Sequence, residues 1–169
     1  MDNHQDNILA FSVDNTRIAL YLKDVERVIR AIAHASVPKA APSLYGIIDL
    51  QGEHIPVVNL RERFGMPQRP VTPGDRMIIS GWGKRKLAIV VDEVEQPMAI
   101  YRSDIKQLEL PENQTLKQEM ANSGLEIVRT VSDQKGLIII YDLPKLLGHE
   151  TILAVDELFS RIKNEDLHV

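Results

Sequence analysis

Apolar residues in this chain occur in short groups separated by turn-forming residues, and most groups have the length of a β-strand. Four pairs of groups predict β-hairpins: 8–13 with 17–22, 46–50 with 54–60, 76–80 with 86–92, and 126–131 with 137–141. Asparagine or glycine lies in each connecting turn, where a positive φ costs little. Because no long helices separate these strands, the pattern predicts small mainly-β barrels rather than a parallel α/β sheet.

Helical spacing of apolar residues is confined to a few segments. Residues 25–32 show it, but they are rich in β-branched side chains, so strand and helix both stay open there. Residues 112–122 predict a short surface helix. The clearest helix is 151–164, which Thr151 can cap and which carries one apolar stripe of Ile152, Val155, Leu158, Phe159 and Ile162. Packing of this stripe on the barrels is favoured, and docking into a partner's groove is the alternative.

Composition narrows the class of protein. The 169 residues suit one domain, or two small halves that share a core, and no cysteine is present for a thiol nucleophile or a zinc thiolate site. The polar, acidic start is unlike a signal peptide, and no apolar run approaches the roughly 20 residues that span a bilayer. A net charge of −4 without a basic stripe argues against nucleic-acid binding. We therefore expect a cytoplasmic protein without direct membrane insertion.

Residues that could carry catalysis do not form a constellation. No serine lies in a Gly-x-Ser-x-Gly elbow, and Gly81-Trp82-Gly83-Lys84 lacks the spacing of a phosphate loop. The histidines have no metal-ligand spacing. Asp92 follows an apolar strand, where a turn or capping role is favoured over that of a general base. The sequence predicts no enzyme activity, no cofactor and no metal.

The stretch 46–61 reads Gly-Ile-Ile-Asp-Leu-Gln-Gly-Glu-His-Ile-Pro-Val-Val-Asn-Leu-Arg and resembles the signature of the CheW family of chemotaxis coupling proteins. Segments 11–13, 76–79, 88–94 and 136–147 resemble further parts of the family pattern, in the same order. The resemblance extends from about residue 8 to residue 148. It implies two five-stranded SH3-like barrels around a shared apolar core, with the handover at residues 66–76. Residues 1–7 and 165–169 would be flexible tails, and 151–164 the terminal helix.

The resemblance also implies a function and a set of contact residues. Proteins of this family are non-enzymatic scaffolds that couple the cytoplasmic tip of methyl-accepting chemoreceptors to the regulatory domain of a CheA-type histidine kinase. Such a protein would be cytoplasmic and recruited to membrane-associated receptor arrays. By motif position, the partner-binding residues would be Val25, Arg27, Gly46, Gln51, Gly52 and Ala88.

The chain departs from the family pattern at positions expected to contact partners. Gln51 stands where arginine is usual, and Arg27 stands where glutamate is usual; Asn59 for aspartate and Ala88 for glycine are milder changes. Altered charge changes partner choice, so service in a divergent pathway such as pilus motility is one alternative. A second is a small-molecule-binding protein or enzyme that uses a deep polar pocket at the barrel junction, with Asp92 and a second titratable group. A third is a homo-oligomer joined through the terminal helix.

Overall fold

The computed structural model describes residues 4–108 and 128–166, which form two twisted β-sheets and a C-terminal helix. Sheet I has five strands in the order β3-β6-β7-β5-β4. Its strands β5 and β7 are parallel, and its other neighbours are antiparallel. The strands are β3 Val25–Arg30, β4 Leu44–Leu50, β5 Glu53–Asn59, β6 Arg76–Trp82 and β7 Arg85–Val91.

Sheet II has seven strands in the order β10-β11-β12-β2-β1-β8, and β9 also pairs with β1. Its single parallel pair is β12 with β2. The strands are β1 Gln5–Val13, β2 Thr16–Tyr21, β8 Glu93–Val94, β9 Met98–Tyr101, β10 Lys106–Leu108, β11 Val128–Asp133 and β12 Gly136–Tyr141.

The predicted mainly-β fold with a C-terminal helix is confirmed, as are the four predicted hairpins. The open choice at residues 25–32 resolves to strand β3, because pairing with β6 overrides the helical spacing. Sheet II has seven strands where five were predicted, since β8, β9 and β10 are too short to show a period. The strand pairing among the described residues leaves both sheets open rather than closed as barrels.

The chain passes between the sheets at two points. The first is a 3₁₀ turn, Leu22–Asp24, between β2 and β3, and the second is Asp92, between β7 and β8. The predicted handover at 66–76 instead lies within sheet I, where it links helix α1 (Leu60–Arg63) to β6. Residues 5–7, predicted as part of a flexible tail, belong to β1 and pair with β9.

Three apolar clusters fill the fold. The first, which we call the inter-sheet core, lies between the two sheets. Each sheet carries one further cluster on its opposite face, and we call this the inner cluster of that sheet. In β1, Leu9 and Phe11 join the inter-sheet core, while Ile8 and Ala10 join the inner cluster of sheet II. Strands buried on both faces read as continuous apolar runs rather than alternating ones, and this explains the pattern at residues 8–13.

The C-terminal helix α2 (Leu143–Asp166) consists of two helical segments joined at Gly148, whose φ is 77°, and the second segment corresponds to the helix predicted at 151–164. This segment begins directly after Gly148, so the buried Thr151 lies in its first turn rather than at the predicted capping position. The favoured packing of the apolar stripe is confirmed: Val155, Leu158, Phe159 and Ile162 all join the inter-sheet core. The helix predicted at 112–122 lies outside the described residues. None of the helices in the described ranges is long and apolar enough to cross a membrane.

Candidate partner-binding surface

Three of the six residues predicted to bind partners lie in one row across sheet I. Arg27 on β3, Ala88 on β7 and Gly46 on β4 are linked through directly opposed neighbours on β6 and β5. Residues that are far apart in the sequence thus share one level of the sheet. The row runs Arg27, Ile79, Ala88, Val57, Gly46.

The six residues differ in their access to a partner. Arg27, Gln51 and Gly52 are exposed, and Val25 is half-buried. Ala88 is 0% exposed within the inner cluster of sheet I, and Gly46 is buried as well. The side chain of Ala88 and the Cα of Gly46 are therefore covered by the protein itself. Motif position predicted a direct contact for both residues, but a sequence motif carries no information on burial.

Gly46 is required by a close approach of two backbone segments. Its φ is +147°, and a Cβ at this position would lie 2.0 Å from the carbonyl oxygen of Ala35. Ala35 bonds to the neighbouring residue, Ile47, through both backbone groups, at 2.8 and 2.9 Å. Glycine is the residue that allows such an approach. The role of Gly46 that the structure supports is to seat the segment before β4 against the sheet.

Gln51 and Gly52 form the tight turn between β4 and β5. Their φ values of 54° and 86° are both positive, as in the hairpin turns whose twist matches that of the flanking strands. The Asp49 carboxylate accepts a hydrogen bond from the backbone N–H of Gly52 at 2.9 Å. The turn is thereby held in place and presents the Gln51 side chain to solvent.

Lys86 joins this turn to strand β3. Its ammonium group lies 2.8 Å from the Glu26 carboxylate and 3.8 Å from that of Glu53. Hydrogen bonding to Glu26 raises the pKa of Lys86, so the lysine stays charged. Arg27, next to Glu26, makes no hydrogen bond or ion pair with the described residues, so its charge is available to a partner.

Three half-buried apolar side chains next to the two crossings pack against the inter-sheet core, and we call them the apolar rim: Leu22, Val25 and Val94. Val25 belongs to sheet I, Val94 to sheet II, and Leu22 to the turn that connects them. Motif matching found Val25 but not Leu22, Val94 or Lys86, because the fold and not the sequence order brings them to this surface.

Asp92 accepts several hydrogen bonds. One carboxylate oxygen accepts from the backbone N–H of Asp14 at 2.7 Å, and the other accepts from Arg61 and Arg69, each at 2.7 Å. Both oxygens of the Asp92 carboxylate are thus occupied by hydrogen bonds from the protein itself, which is typical of a structural carboxylate. The favoured turn role agrees with this geometry, although the turn that Asp92 stabilises is β1–β2 rather than the one that follows it.

Asn59 shows why the chain departs from the usual aspartate at this position. The Asn59 amide nitrogen donates to the carbonyl of Pro42 at 3.2 Å and to the side-chain oxygen of Gln68 at 2.8 Å, and its oxygen accepts from the backbone N–H of Arg61. A carboxylate has no N–H to donate. The buried amide thus ties two loops to the end of β5, which an aspartate could not do.

The region between the sheets is packed with apolar side chains. An open cleft of about 900 Å³ reaches Leu22 and Lys23 at the first crossing, and its lining also includes Asp6 and Arg129; Asp92 does not line it. In the described part of the chain, no group of three or more metal-ligating side chains occurs. The alternative of a polar pocket at the junction, holding Asp92, therefore finds no support in this geometry.

An ionic cluster centred on Arg17 stabilises sheet II and predicts that the stability of the fold depends on pH. The Arg17 guanidinium bonds to Asp133 at 2.7 Å and to Glu95 at 2.8 Å. These bonds hold the pKa of Asp133 and that of Glu95 below their usual ranges. Carboxyls with a depressed folded-state pKa stabilise the fold above their unfolded pKa of about 4, and this stabilisation is lost as pH falls further.

We expect the urea midpoint of the wild-type protein to fall steeply below about pH 4, where these carboxyls take up protons as the chain unfolds. Arg17→Met removes the cause of the depressed pKa values, so its midpoint should fall less over the same range. Urea titrations at several pH values between 6 and 3 measure both slopes. Parallel slopes for the two proteins would contradict the assignment.

Comparison with known proteins agrees with this architecture. The family model described as "CheW-like domain" matches residues 7–151. The "Chemotaxis protein CheW" of Bacillus subtilis is 24% identical over 86% of this chain and 89% of its own length. The protein of the same name in Thermotoga maritima is 28% identical over the same shares. The crystal structure of the scaffolding protein TtCheW from Thermoanaerobacter tengcongensis superposes with a TM-score of 0.68 at 25% identity, covering 85% of this chain and 93% of that one.

Two sheets packed around a shared apolar core, with an exposed charged edge on sheet I, form the architecture of the scaffolding protein with which the structure superposes. The match covers both sheets, so the chain belongs to the CheW-like domain family, whose members are non-catalytic scaffolds of chemotaxis.

Proposed function

We propose that this protein couples the cytoplasmic tip of methyl-accepting chemoreceptors to the regulatory domain of a CheA-type histidine kinase. The observation that carries the proposal is the family match over residues 7–151, which includes both sheets and every residue of the predicted contact set. In this function the protein acts in the cytoplasm, at membrane-associated receptor arrays. It transmits the signal through binding geometry and needs no cofactor.

The kinase would contact the charged edge of sheet I. This edge is formed by Arg27 on β3, the Gln51–Gly52 turn, and the Glu26–Lys86–Glu53 bridge between them. Only one of its charges, that of Arg27, lacks an ionic partner among the described residues. Unpaired charges at the border of an interface select partners more than they add affinity. The kinase of the same cell would then present an acidic group opposite Arg27.

The receptor tip would dock on the apolar rim of Leu22, Val25 and Val94. These half-buried side chains offer hydrophobic contacts that continue the inter-sheet core. An amphipathic helical hairpin presents apolar residues at helical spacing, which suits a groove of this kind. The two partners would thus occupy neighbouring surfaces that meet at Val25.

Calorimetric titration into the regulatory domain of a CheA-type kinase from the same organism tests the proposal. We expect saturable binding in the micromolar range or tighter, about −8 kcal/mol or better. Absence of binding to every such kinase of the organism would refute coupling. A second titration with a fragment of the receptor tip tests the other partner.

Charge reversal at Arg27 tests the kinase surface. Arg27→Glu should weaken kinase binding at least tenfold, about 1.4 kcal/mol, because it would face an acidic group with a like charge. Lys106→Glu is the matched control: it changes the net charge equally, but on exposed strand β10 of sheet II. Equal effects of the two substitutions would mean that overall charge, and not the Arg27 contact, governs affinity.

The exposed Arg27, which stands where the family usually has glutamate, also favours a divergent chemosensory pathway, such as one for pilus motility. If the protein binds only a kinase from such a pathway, and Arg27→Glu shifts its preference towards a swimming-type kinase, then Arg27 and Gln51 direct it to that pathway. Titration against each kinase of the organism distinguishes the two outputs.

A further inference from the structure

A chain of five alternating charges closes the second crossing between the sheets. Arg61 bonds to Asp14 and to Asp92, Arg69 bonds to Asp92 and to Asp75, and the contacts to Asp92 and Asp75 measure 2.7 Å. Its members come from the β1–β2 turn, helix α1, the β7–β8 link, and the loop before β6. We call this set the crossing network.

The network contains a buried arginine. The Arg61 side chain is only 6% exposed, and it bonds to carboxylates that lie in two different passes of the chain. Burial lowers the pKa of Arg61, but the hydrogen bonds that its guanidinium donates to Asp14 and Asp92 outweigh this and raise the pKa, so the guanidinium remains charged. Removing one partner of a buried pair leaves the other charge uncompensated, which makes such pairs strict geometric constraints.

The network attaches one sheet to the other. Arg61 lies in α1, which follows β5 of sheet I directly, and Asp14 lies in the β1–β2 turn of sheet II. Asp92 reinforces the attachment, because its backbone N–H donates to the Ser12 carbonyl at 2.9 Å and its carboxylate accepts from the N–H of Asp14. Apart from apolar packing, which has little directional preference, these bonds set the angle between the sheets at the second crossing.

That angle determines the shape of the apolar rim. Val94 is two residues beyond Asp92 and pairs with Phe11 of β1, whereas Val25 is held by β6 of sheet I. A rotation of one sheet against the other would change the separation of Val25 and Val94. A partner seated on the rim contacts both sheets and so detects this separation.

We propose that Arg61 is a positioning residue for partner binding: through Asp14 and Asp92 it fixes the angle between the sheets and hence the spacing of the Val25 and Val94 halves of the apolar rim. It does so without touching the partner, since its guanidinium is enclosed by the crossing network. The binding part of this inference rests on the proposed coupling function. The geometric part does not.

The absence of cysteine allows a direct measurement of the angle. Spin labels are attached to His54→Cys on sheet I and Ser132→Cys on sheet II, both exposed positions. Pulsed dipolar spectroscopy then gives the inter-sheet distance distribution. We expect one narrow distribution in the otherwise wild-type protein and a broader or displaced one in Arg61→Met.

Arg17→Met is the matched control, because Arg17 also bridges two carboxylates, Glu95 and Asp133, but ties no part of sheet I. It should leave the inter-sheet distance unchanged. If Arg61→Met does not fold, Asp14→Asn tests the same point more gently, since it removes one cross-sheet charge and leaves Arg61 paired with Asp92. It should broaden the distribution to a smaller extent.

Binding is measured with the same variants, without labels. Folded Arg61→Met or Asp14→Asn should bind the receptor-tip fragment at least fivefold more weakly, and Arg17→Met should bind as the wild type does. Unchanged distances in both network variants would overturn the inference. Altered distances with unchanged affinity would overturn the positioning role alone. Failure of the wild-type protein to bind any receptor tip would refute the receptor part of the proposed function and remove the binding role from the inference, while the distances would still test the geometry.

Discussion

Replacing Gly46 by alanine should destabilise the protein by more than about 3 kcal/mol. The added Cβ would lie 2.0 Å from the carbonyl oxygen of Ala35 and 2.9 Å from its carbonyl carbon. Both are backbone atoms, so no side-chain rotation can relieve the clash. The φ of +147° adds strain, since side chains with a Cβ avoid it. Relief would require moving the segment before β4, at the cost of the Ala35–Ile47 backbone bonds.

Gly52→Ala is the control for this prediction. Gly52 also has a positive φ, of 86°, but no atom lies within 4 Å of the position that its Cβ would occupy. Its substitution should therefore cost about 1 kcal/mol, for backbone strain alone. Urea unfolding of both variants measures the difference. If Gly46→Ala kept wild-type stability and lost partner binding, Gly46 would be a contact residue after all, as its motif position suggested.

Substituting Leu158 by aspartate should destabilise the fold by more than about 4 kcal/mol, or prevent folding altogether. Leu158 is 3% exposed, in the part of the inter-sheet core that helix α2 covers. A carboxylate there would have to be buried without a partner or be protonated, and either outcome is costly. The prediction follows from the helix being part of the core rather than an appendage for partners.

Leu153→Asp makes the same chemical change on the same helix at a position that is 55% exposed. It should alter the free energy of unfolding by no more than about 0.5 kcal/mol. Thermal and urea unfolding compare the two variants. Sedimentation of Leu153→Asp also tests the helix as an oligomer contact: a lower mass than wild type would show self-association through its exposed side. Similar stabilities of the two variants would mean that the helix does not pack as described.

Local residue pattern was sufficient to predict the strands and their hairpins. Apolar groups of strand length and turns such as Gln51-Gly52 are encoded within a few residues, and the positive φ of Gly52 is the one that its place in the turn suggested. The same holds for the apolar stripe of the terminal helix, whose period is set by residues three and four apart. The family resemblance rested on these same local features, and the match over residues 7–151 confirms it.

Features that depend on pairing between distant segments could not be predicted in this way. Strands β8 to β10 are too short to show a period and exist because β1 and β11 supply their hydrogen bonds. The passage between sheets at Asp92, rather than in the proline-rich loop, follows from β7 pairing with β5 and β6. The composition of a loop indicates that the chain has no regular secondary structure there, but it carries no information on which sheet the next strand joins.

The candidate partner-binding surface likewise combines features that the sequence predicts with features that only the tertiary structure decides. The sequence by itself determined the class of protein, the exposed turn at Gln51 and Gly52, and the charge departure at Arg27, because motif and charge are properties of single positions. Only the tertiary structure decided that Ala88 and Gly46 are buried, that Lys86 bridges Glu26 and Glu53, and that Arg61 holds two passes of the chain together. Burial and ion pairing depend on distances between segments that are remote in sequence, and folding alone sets those distances.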